Sequence, residues 1–209
     1  MSGLPLSRHG YTYFAGDASS PISVEMAIDL TCSETRDAWE VLSAVVHGYS
    51  DSVKFNIQIL PLPYHQFSFL VSKAASTVLF FEGDKQAFKF MNEAILNQPA
   101  IYNSETNDKS YNDVLEIVQG WATNSTTITS AKFAEGFDTS SDAGNTIEMF
   151  TRFQFKMAAI TSNYGTPMYT INGLKVLEGL DTFSQWQDTL DSLVKKPKQL
   201  EADPTTIYL

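Results

Sequence analysis

A single thiol, at Cys32, is the side chain best suited to nucleophilic chemistry in this sequence of 209 residues. It follows a strand-like stretch and precedes a segment with helical spacing, which predicts a helix N-terminus at this point. There the helix dipole and the free backbone N–H groups favour the thiolate, the form that attacks disulfides. Because the sequence has one cysteine, an internal disulfide and a thiolate zinc cluster are excluded.

Thr35 lies three residues after this thiol, where a Cys-x-x-Cys motif has its second cysteine. A hydroxyl cannot resolve a mixed disulfide, so the chain cannot run a two-cysteine redox cycle by itself. Thr35 is instead expected to donate its hydroxyl to the thiolate. Arg36 favours the thiolate, whereas three nearby carboxylates disfavour it: Asp29, Glu34 and Asp37. A second interpretation stays open, in which Cys32 is a small buried apolar residue.

His65 is the candidate histidine for acid–base chemistry, because it begins the region after the second predicted strand. Two interpretations stay open for it: a general base for Cys32, or a helix-start residue that hydrogen-bonds the neighbouring loop. His9 and His47 have no paired spacing with it, so no metal site is predicted. No glycine-rich phosphate loop is present either.

Strands and a helix must position these groups at the start of the chain. Residues 22–30 and 53–60 alternate apolar and polar side chains, which predicts two strands. Between them, apolar residues at helical spacing continue up to Gly48. Thr31 or Ser33 is the expected N-cap of this helix.

The remainder of the chain predicts a helical block followed by a hairpin. Residues 64–163 lose the strand signal and carry apolar stripes at helical spacing. Asn172 and Gly173 then form a strong two-residue turn signal within 168–177, which predicts a β-hairpin. A last helix is expected over 182–194.

Composition excludes several classes of partner. Lys and Arg number 14 against 24 Asp and Glu, a formal net charge of −10, so nucleic acid and anionic membranes are poor partners. No apolar run exceeds four residues, the length of 78–81, which is far shorter than the ~20 residues that span a bilayer. The start of the sequence lacks a signal-peptide pattern and predicts a cytoplasmic protein. The alternative is a secreted or endoplasmic-reticulum protein whose signal has been removed, and only then would the sequon at Asn124 matter. Nothing in the sequence fixes the oligomeric state.

Three motifs at the ends of the predicted strands resemble the DsbA-like disulfide oxidoreductases. They are 29–35 (DLTCSET), 60–65 (LPLPYH) and 164–173 (YGTPMYTING), the last being similar to the family's Gly-Thr-Pro-Thr-Phe-x-x-Asn-Gly segment. With the flanking elements, the resemblance covers about 20–195. Residues 32–39 (CSETRDAW) are also similar to the Cys-Pro-Asp-Ser-Arg-Asp-Ser-Trp stretch of a eukaryotic subgroup, whose fourth residue is likewise a hydroxyl residue.

This resemblance implies an α/β protein with a thioredoxin-like fold, in which helices flank a central mixed β-sheet and a large all-helical domain is inserted. The thioredoxin-like domain is expected over 1–63 plus 164–198, and the inserted helical domain over 64–163. A loose C-terminal tail is expected over 199–209.

The resemblance also implies the residues of the site. The Thr166–Pro167 bond is expected to be cis, with the backbone of Thr166 beside Cys32 and available to pair with an extended peptide. The catalytic residues implied are Cys32 and Thr35. The substrate-binding residues implied are Thr166, Pro167, Ser33, Glu34 and His65.

Three functions remain open on these residues, and whether the protein is an enzyme stays undecided. The first is a monothiol thiol–disulfide oxidoreductase, acting through a mixed disulfide with an external thiol such as glutathione. The alternatives are a redox-inactive module that binds peptides, and a glutathione-dependent isomerase or transferase. The expected partners are protein or peptide thiols and disulfides. No resident cofactor is expected, and glutathione would act as a co-substrate.

Overall fold

The structure is a computed structural model that describes residues 11–13, 19–142 and 144–194. In this part of the chain five strands form one sheet in the order β1-β3-β2-β4-β5. The strands are β1 (Tyr11–Tyr13), β2 (Ser23–Ile28), β3 (Lys54–Ile59), β4 (Met168–Ile171) and β5 (Leu174–Val176). The β2–β3 pair is parallel and the other pairs are antiparallel, so the sheet is mixed as predicted. The predicted tail 199–209 lies outside the described residues.

Helices flank this sheet, which confirms the predicted α/β thioredoxin-like fold class. They are α1 (Ser33–Tyr49), α2 (Ser68–Glu82), α3 (Asp84–Asn97), α4 (Tyr111–Ser125), α5 (Ser130–Gly136), α6 (Thr146–Ile160) and α7 (Phe183–Asp191), with 3-10 helices at Gln98–Ile101 and Asn103–Glu105. Helices α2 to α6 follow one another between β3 and β4. Within the described ranges, no helix is both long enough and apolar enough to cross a bilayer.

One hydrophobic core joins the sheet to the helices between β3 and β4. Val24 and Phe55 from the central strands belong to the same buried cluster as Val78 of α2, Phe90 of α3 and Trp186 of α7. Both central strands are buried along almost their whole length, as expected for strands covered on both faces. The helices between β3 and β4, and also α7, therefore share one core with the sheet.

The β4–β5 hairpin confirms the turn predicted from Asn172 and Gly173. Both residues have positive φ, 49° and 83°, the backbone that a two-residue type I′ turn requires. The Asn172 side-chain oxygen accepts a hydrogen bond from the backbone N–H of Ser23 at 2.8 Å, and the Asn172 N–H donates to the Ser23 carbonyl at 2.9 Å. The turn is thereby tied to the start of β2.

The predicted N-cap of α1 is wrong. Cys32 itself is the N-cap residue, and its side chain does not cap the helix. Ser33 is already the first helical residue, while the Thr31 hydroxyl donates to the carboxylate of Asp29 at 2.8 Å. The Thr31 hydroxyl therefore bonds the buried carboxylate of Asp29 and does not cap the helix.

Rising pH is expected to weaken the fold through Tyr169, whose ring packs edge-on against Trp186. Burial, and then the charge of Asp181, raises the pKa of the Tyr169 hydroxyl above its ordinary value. The unfolded chain then ionises at about pH 10, below the folded value, so stability is full below about pH 10 and decreases as the pH rises further. In urea unfolding at several pH values, Tyr169→Phe should make this decrease shallower by about 1.4 kcal/mol per pH unit. An unchanged slope would contradict the prediction.

Candidate active site

Cys32 lies in the turn that leads from β2 into α1. Its backbone N–H donates to the Asp29 carbonyl at 3.2 Å, and its own carbonyl accepts from the N–H of Arg36 at 3.1 Å. The first bond closes the turn, and the second is the first hydrogen bond of the helix. The side chain of Cys32 is therefore held at the helix N-terminus, where the dipole favours an anion.

The sulfur of Cys32 is covered. Its Sγ–H donates to the carbonyl oxygen of Thr166 at 3.4 Å, and the following Thr166–Pro167 bond is cis. Cys32 also belongs to a small apolar cluster with three further residues: Leu60, Leu62 and Ala158. Because Cys32 is only 5% exposed, an incoming disulfide has a narrow approach to the thiol.

Two threonine hydroxyls beside the thiol are buried and have no hydrogen-bond partner in the structure: Thr35 Oγ1 and Thr166 Oγ1. The predicted hydrogen bond from Thr35 to the Cys32 sulfur is therefore not present among the described residues. Leaving a buried hydroxyl unpaired costs about 1–3 kcal/mol. The polar groups of a bound peptide or thiol could satisfy such hydroxyls.

Asp29 organises the loops around the thiol, a role that was not predicted from the sequence. Its side chain is fully buried, and its carboxylate accepts hydrogen bonds from the N–H and hydroxyl of Thr31, the N–H of Leu62 and the hydroxyl of Ser68. The fifth contact is with Nδ1 of His65 at 2.7 Å. The carboxylate thus joins the end of β2, the β3–α2 loop and the start of α2. A carboxylate directly after a strand of apolar residues is the signal that could have identified it.

His65 contacts Asp29 in this network, and among the described residues its ring makes no hydrogen bond to Cys32. Of the two roles that the sequence leaves open for His65, this geometry matches the one in which the histidine hydrogen-bonds a neighbouring loop. The β3–α2 loop is held in place by it, because the backbone N–H of His65 also donates to the Leu62 carbonyl at 3.2 Å.

Gln98 is a second supporting residue that was not predicted from the sequence. It is fully buried, and its side-chain amide donates to the carbonyl of Leu30 at 3.2 Å. The Tyr102 hydroxyl donates to the side-chain oxygen of Gln98 at 2.8 Å. Burial, above all, raises the pKa of Tyr102, against the opposing charge of Arg36. The 3-10 helix that follows α3 therefore supports the backbone just before the thiol.

The predicted substrate-binding residues lie in two separate grooves. Glu34, Thr166 and Pro167 line a groove of about 560 Å³, which we call the acidic groove. Ser33 and His65 line another of about 290 Å³, together with Thr31, Tyr102 and Asn103. Along the chain, Cys32 is flanked by Thr31 and Ser33 of the smaller groove, and Glu34 of the acidic groove follows. Among the residues that the structure describes, no group of three His, Cys, Asp or Glu side chains could hold a metal ion.

Comparisons with known proteins support the fold. No protein-family model matches the sequence, and a search of curated proteins finds no match. Among solved structures, a candidate protein-disulfide isomerase from Pseudomonas syringae has a TM-score of 0.70 at 18% identity, over 87% of this chain and 97% of that one. BdbD from Bacillus subtilis has a TM-score of 0.69 at 14% identity, over 90% of this chain and 94% of that one. The thiol-disulfide exchange protein alpha-DsbA2 from Wolbachia pipientis has a TM-score of 0.61 at 17% identity, over 86% of both chains.

These likenesses establish the class of fold. The chain has the thioredoxin-like fold of the DsbA-like thiol–disulfide oxidoreductases, over nearly the whole length of the structures it resembles.

Proposed function

We propose that this protein exchanges thiols and disulfides with other proteins or peptides through Cys32 alone. The observation that carries the proposal is the position of the thiol, at the N-terminus of α1 with its sulfur 3.4 Å from the Thr166 carbonyl. Two solved structures with this fold are named as thiol–disulfide proteins, which is consistent with the same chemistry here.

The exchange proceeds in two balanced steps. The Cys32 thiolate attacks one sulfur of a partner disulfide, R–S–S–R′, forming a bond between Cys32 and R–S while R′–S⁻ leaves and takes up a proton. Thr35 cannot release the mixed disulfide, so an external thiolate such as that of glutathione attacks the R sulfur. Cys32 departs as a thiolate, and the external thiol retains R in a new disulfide.

Reaction with glutathione disulfide tests this proposal. We expect the folded protein at pH 7 to gain one glutathione at Cys32, at a rate comparable to that of the same chain unfolded in urea, because the helix N-terminus favours the thiolate and offsets the narrow approach. Cys32→Ser should gain none. Intact-mass measurements over time give both rates, and the urea-unfolded chain is the control for an unperturbed cysteine. A folded rate far below the unfolded rate would contradict thiol exchange.

A second candidate is a redox-inactive module that binds peptides and keeps the fold. The burial of Cys32 in a cluster with Leu60, Leu62 and Ala158 favours it, because a covered thiol reacts slowly. In this case the folded protein would resist glutathione disulfide, while Cys32→Ser would still bind peptide. Measuring reactivity and peptide binding on the same two proteins separates the two functions.

A further inference from the structure

The acidic groove has carboxylates on two sides. Glu34 and Asp37 come from the first turns of α1, and Glu178 and Asp181 come from the connection between β5 and α7. All four are exposed. None of the described residues that line the groove is a lysine, arginine or histidine.

Most of this negative charge is not neutralised. Asp37 pairs with the guanidinium of Arg36 at 3.1 Å. The other three carboxylates, Glu34, Glu178 and Asp181, have no ion-pair partner in the part of the chain that the structure describes. Since the whole chain also carries a formal net charge of −10, the groove attracts cations.

Polar and apolar groups suited to a polypeptide lie between these carboxylates. Thr166 lines the groove, and its Oγ1 is buried without a hydrogen-bond partner, so it can still pair with a ligand. Tyr164 and Leu177 line the same groove with rings and methyl groups that are 79% and 72% exposed. The groove thus offers contacts to aliphatic stems as well as to positive charge.

A metal ion does not fit this arrangement. Within the described ranges no three potential ligand side chains are close enough to hold one. The fitting occupant is therefore an extended chain that carries several separate cations.

We propose that the acidic groove binds an extended, lysine- or arginine-rich segment of a partner protein, with Glu34, Glu178 and Asp181 facing its cations and Thr166 bonding its polar groups. The inference rests on the peptide binding proposed above and names the class of segment that is bound; it does not depend on the Cys32 sulfur. Binding is expected whether or not Cys32 reacts.

Fluorescence anisotropy with a cysteine-free octapeptide tests the proposal. The rhodamine-labelled peptide alternates four basic residues with alanine and valine, and its matched partner has glutamates at the basic positions. The protein carries Cys32→Ser, so that a failure here is distinct from a failure of thiol exchange. We expect the basic peptide to bind and the acidic one not to bind. Raising NaCl from about 0.05 M to 0.5 M should weaken binding by screening.

Substitutions in the groove locate the binding site. The double variant Glu178→Gln with Asp181→Asn should raise the Kd of the basic peptide about 3- to 10-fold, as expected for two exposed ion pairs. Glu116→Gln, an exposed carboxylate on α4, removes the same kind of charge outside the groove and should change Kd less than twofold. Equal binding of both peptides, or equal effects of the groove and α4 substitutions, would overturn the proposal.

Discussion

Asp29→Asn is expected to lower the free energy of unfolding by about 3 kcal/mol or more. The native carboxylate accepts five hydrogen bonds while fully buried. An amide of the same shape has one oxygen, and its NH₂ group would face donors on the other side. Some of these donors then lose their partner in a site that water does not reach, which is the costly case for a buried polar group.

Urea unfolding at pH 7 measures this loss. Asp188→Asn, which changes an exposed carboxylate on α7, is the matched control and should stay within about 0.5 kcal/mol of the parent protein. Ser68→Ala removes one of the five donors and should cost about 1 kcal/mol. If Asp29→Asn lowers the free energy of unfolding by less than about 1 kcal/mol, the hydrogen bonds of Asp29 do not hold these loops in place.

The same substitution should also expose the thiol. Asp29 accepts a hydrogen bond from the N–H of Leu62 at 2.9 Å, and Leu62 belongs to the buried apolar cluster that contains Cys32. Loosening this loop uncovers Sγ without changing Cys32 itself. Iodoacetamide should therefore alkylate Cys32 faster in Asp29→Asn than in the parent, under conditions where circular dichroism shows that both remain folded.

Much of the fold was predictable because its elements carry local signals. The alternation in 22–30 and 53–60 predicts β2 and β3 to within two residues at each end, and Asn172 with Gly173 fixes the hairpin. Strand β1 was not predicted, because three residues give too short a pattern and its partner is β3, far along the chain. Helix α5 lies within the predicted helical block 64–163, but its seven residues are too few to show an apolar stripe of their own.

The site was less predictable, since its contacts join distant parts of the chain. The closeness of Cys32 and Thr166 was expected only from the resemblance to a known family, because 134 residues separate them. The bond from Gln98 to the Leu30 carbonyl spans 68 residues and has no local signature. The acidic groove likewise depends on α1 and the β5–α7 connection lying side by side, which no single stretch of sequence shows.

Thr35→Cys is expected to shorten the lifetime of a mixed disulfide at Cys32 about 100-fold. Thr35 is fully buried in the first turn of α1, and its hydroxyl has no partner, so a thiol can replace it without loss of a hydrogen bond. The introduced thiol attacks Cys32 within the same molecule and forms an internal disulfide as the bound thiol leaves. The introduced thiol has an effective concentration at Cys32 on the order of 1 mM, and the external thiol is supplied at about 10 µM, so release is about 100 times faster.

Release of glutathione from the purified mixed disulfide, followed by intact mass, measures the lifetime. Thr35→Ser is the matched control: it keeps a hydroxyl of similar size and should release glutathione as slowly as the parent protein. The introduced thiol should also stop reacting with alkylating reagents as release proceeds, because it becomes part of the internal disulfide. Rapid release from Thr35→Cys alone would show that the parent differs from a two-thiol exchange protein by this one side chain. Equal lifetimes in all three proteins would mean that the geometry at Thr35 does not allow resolution, and that the site is adapted to binding.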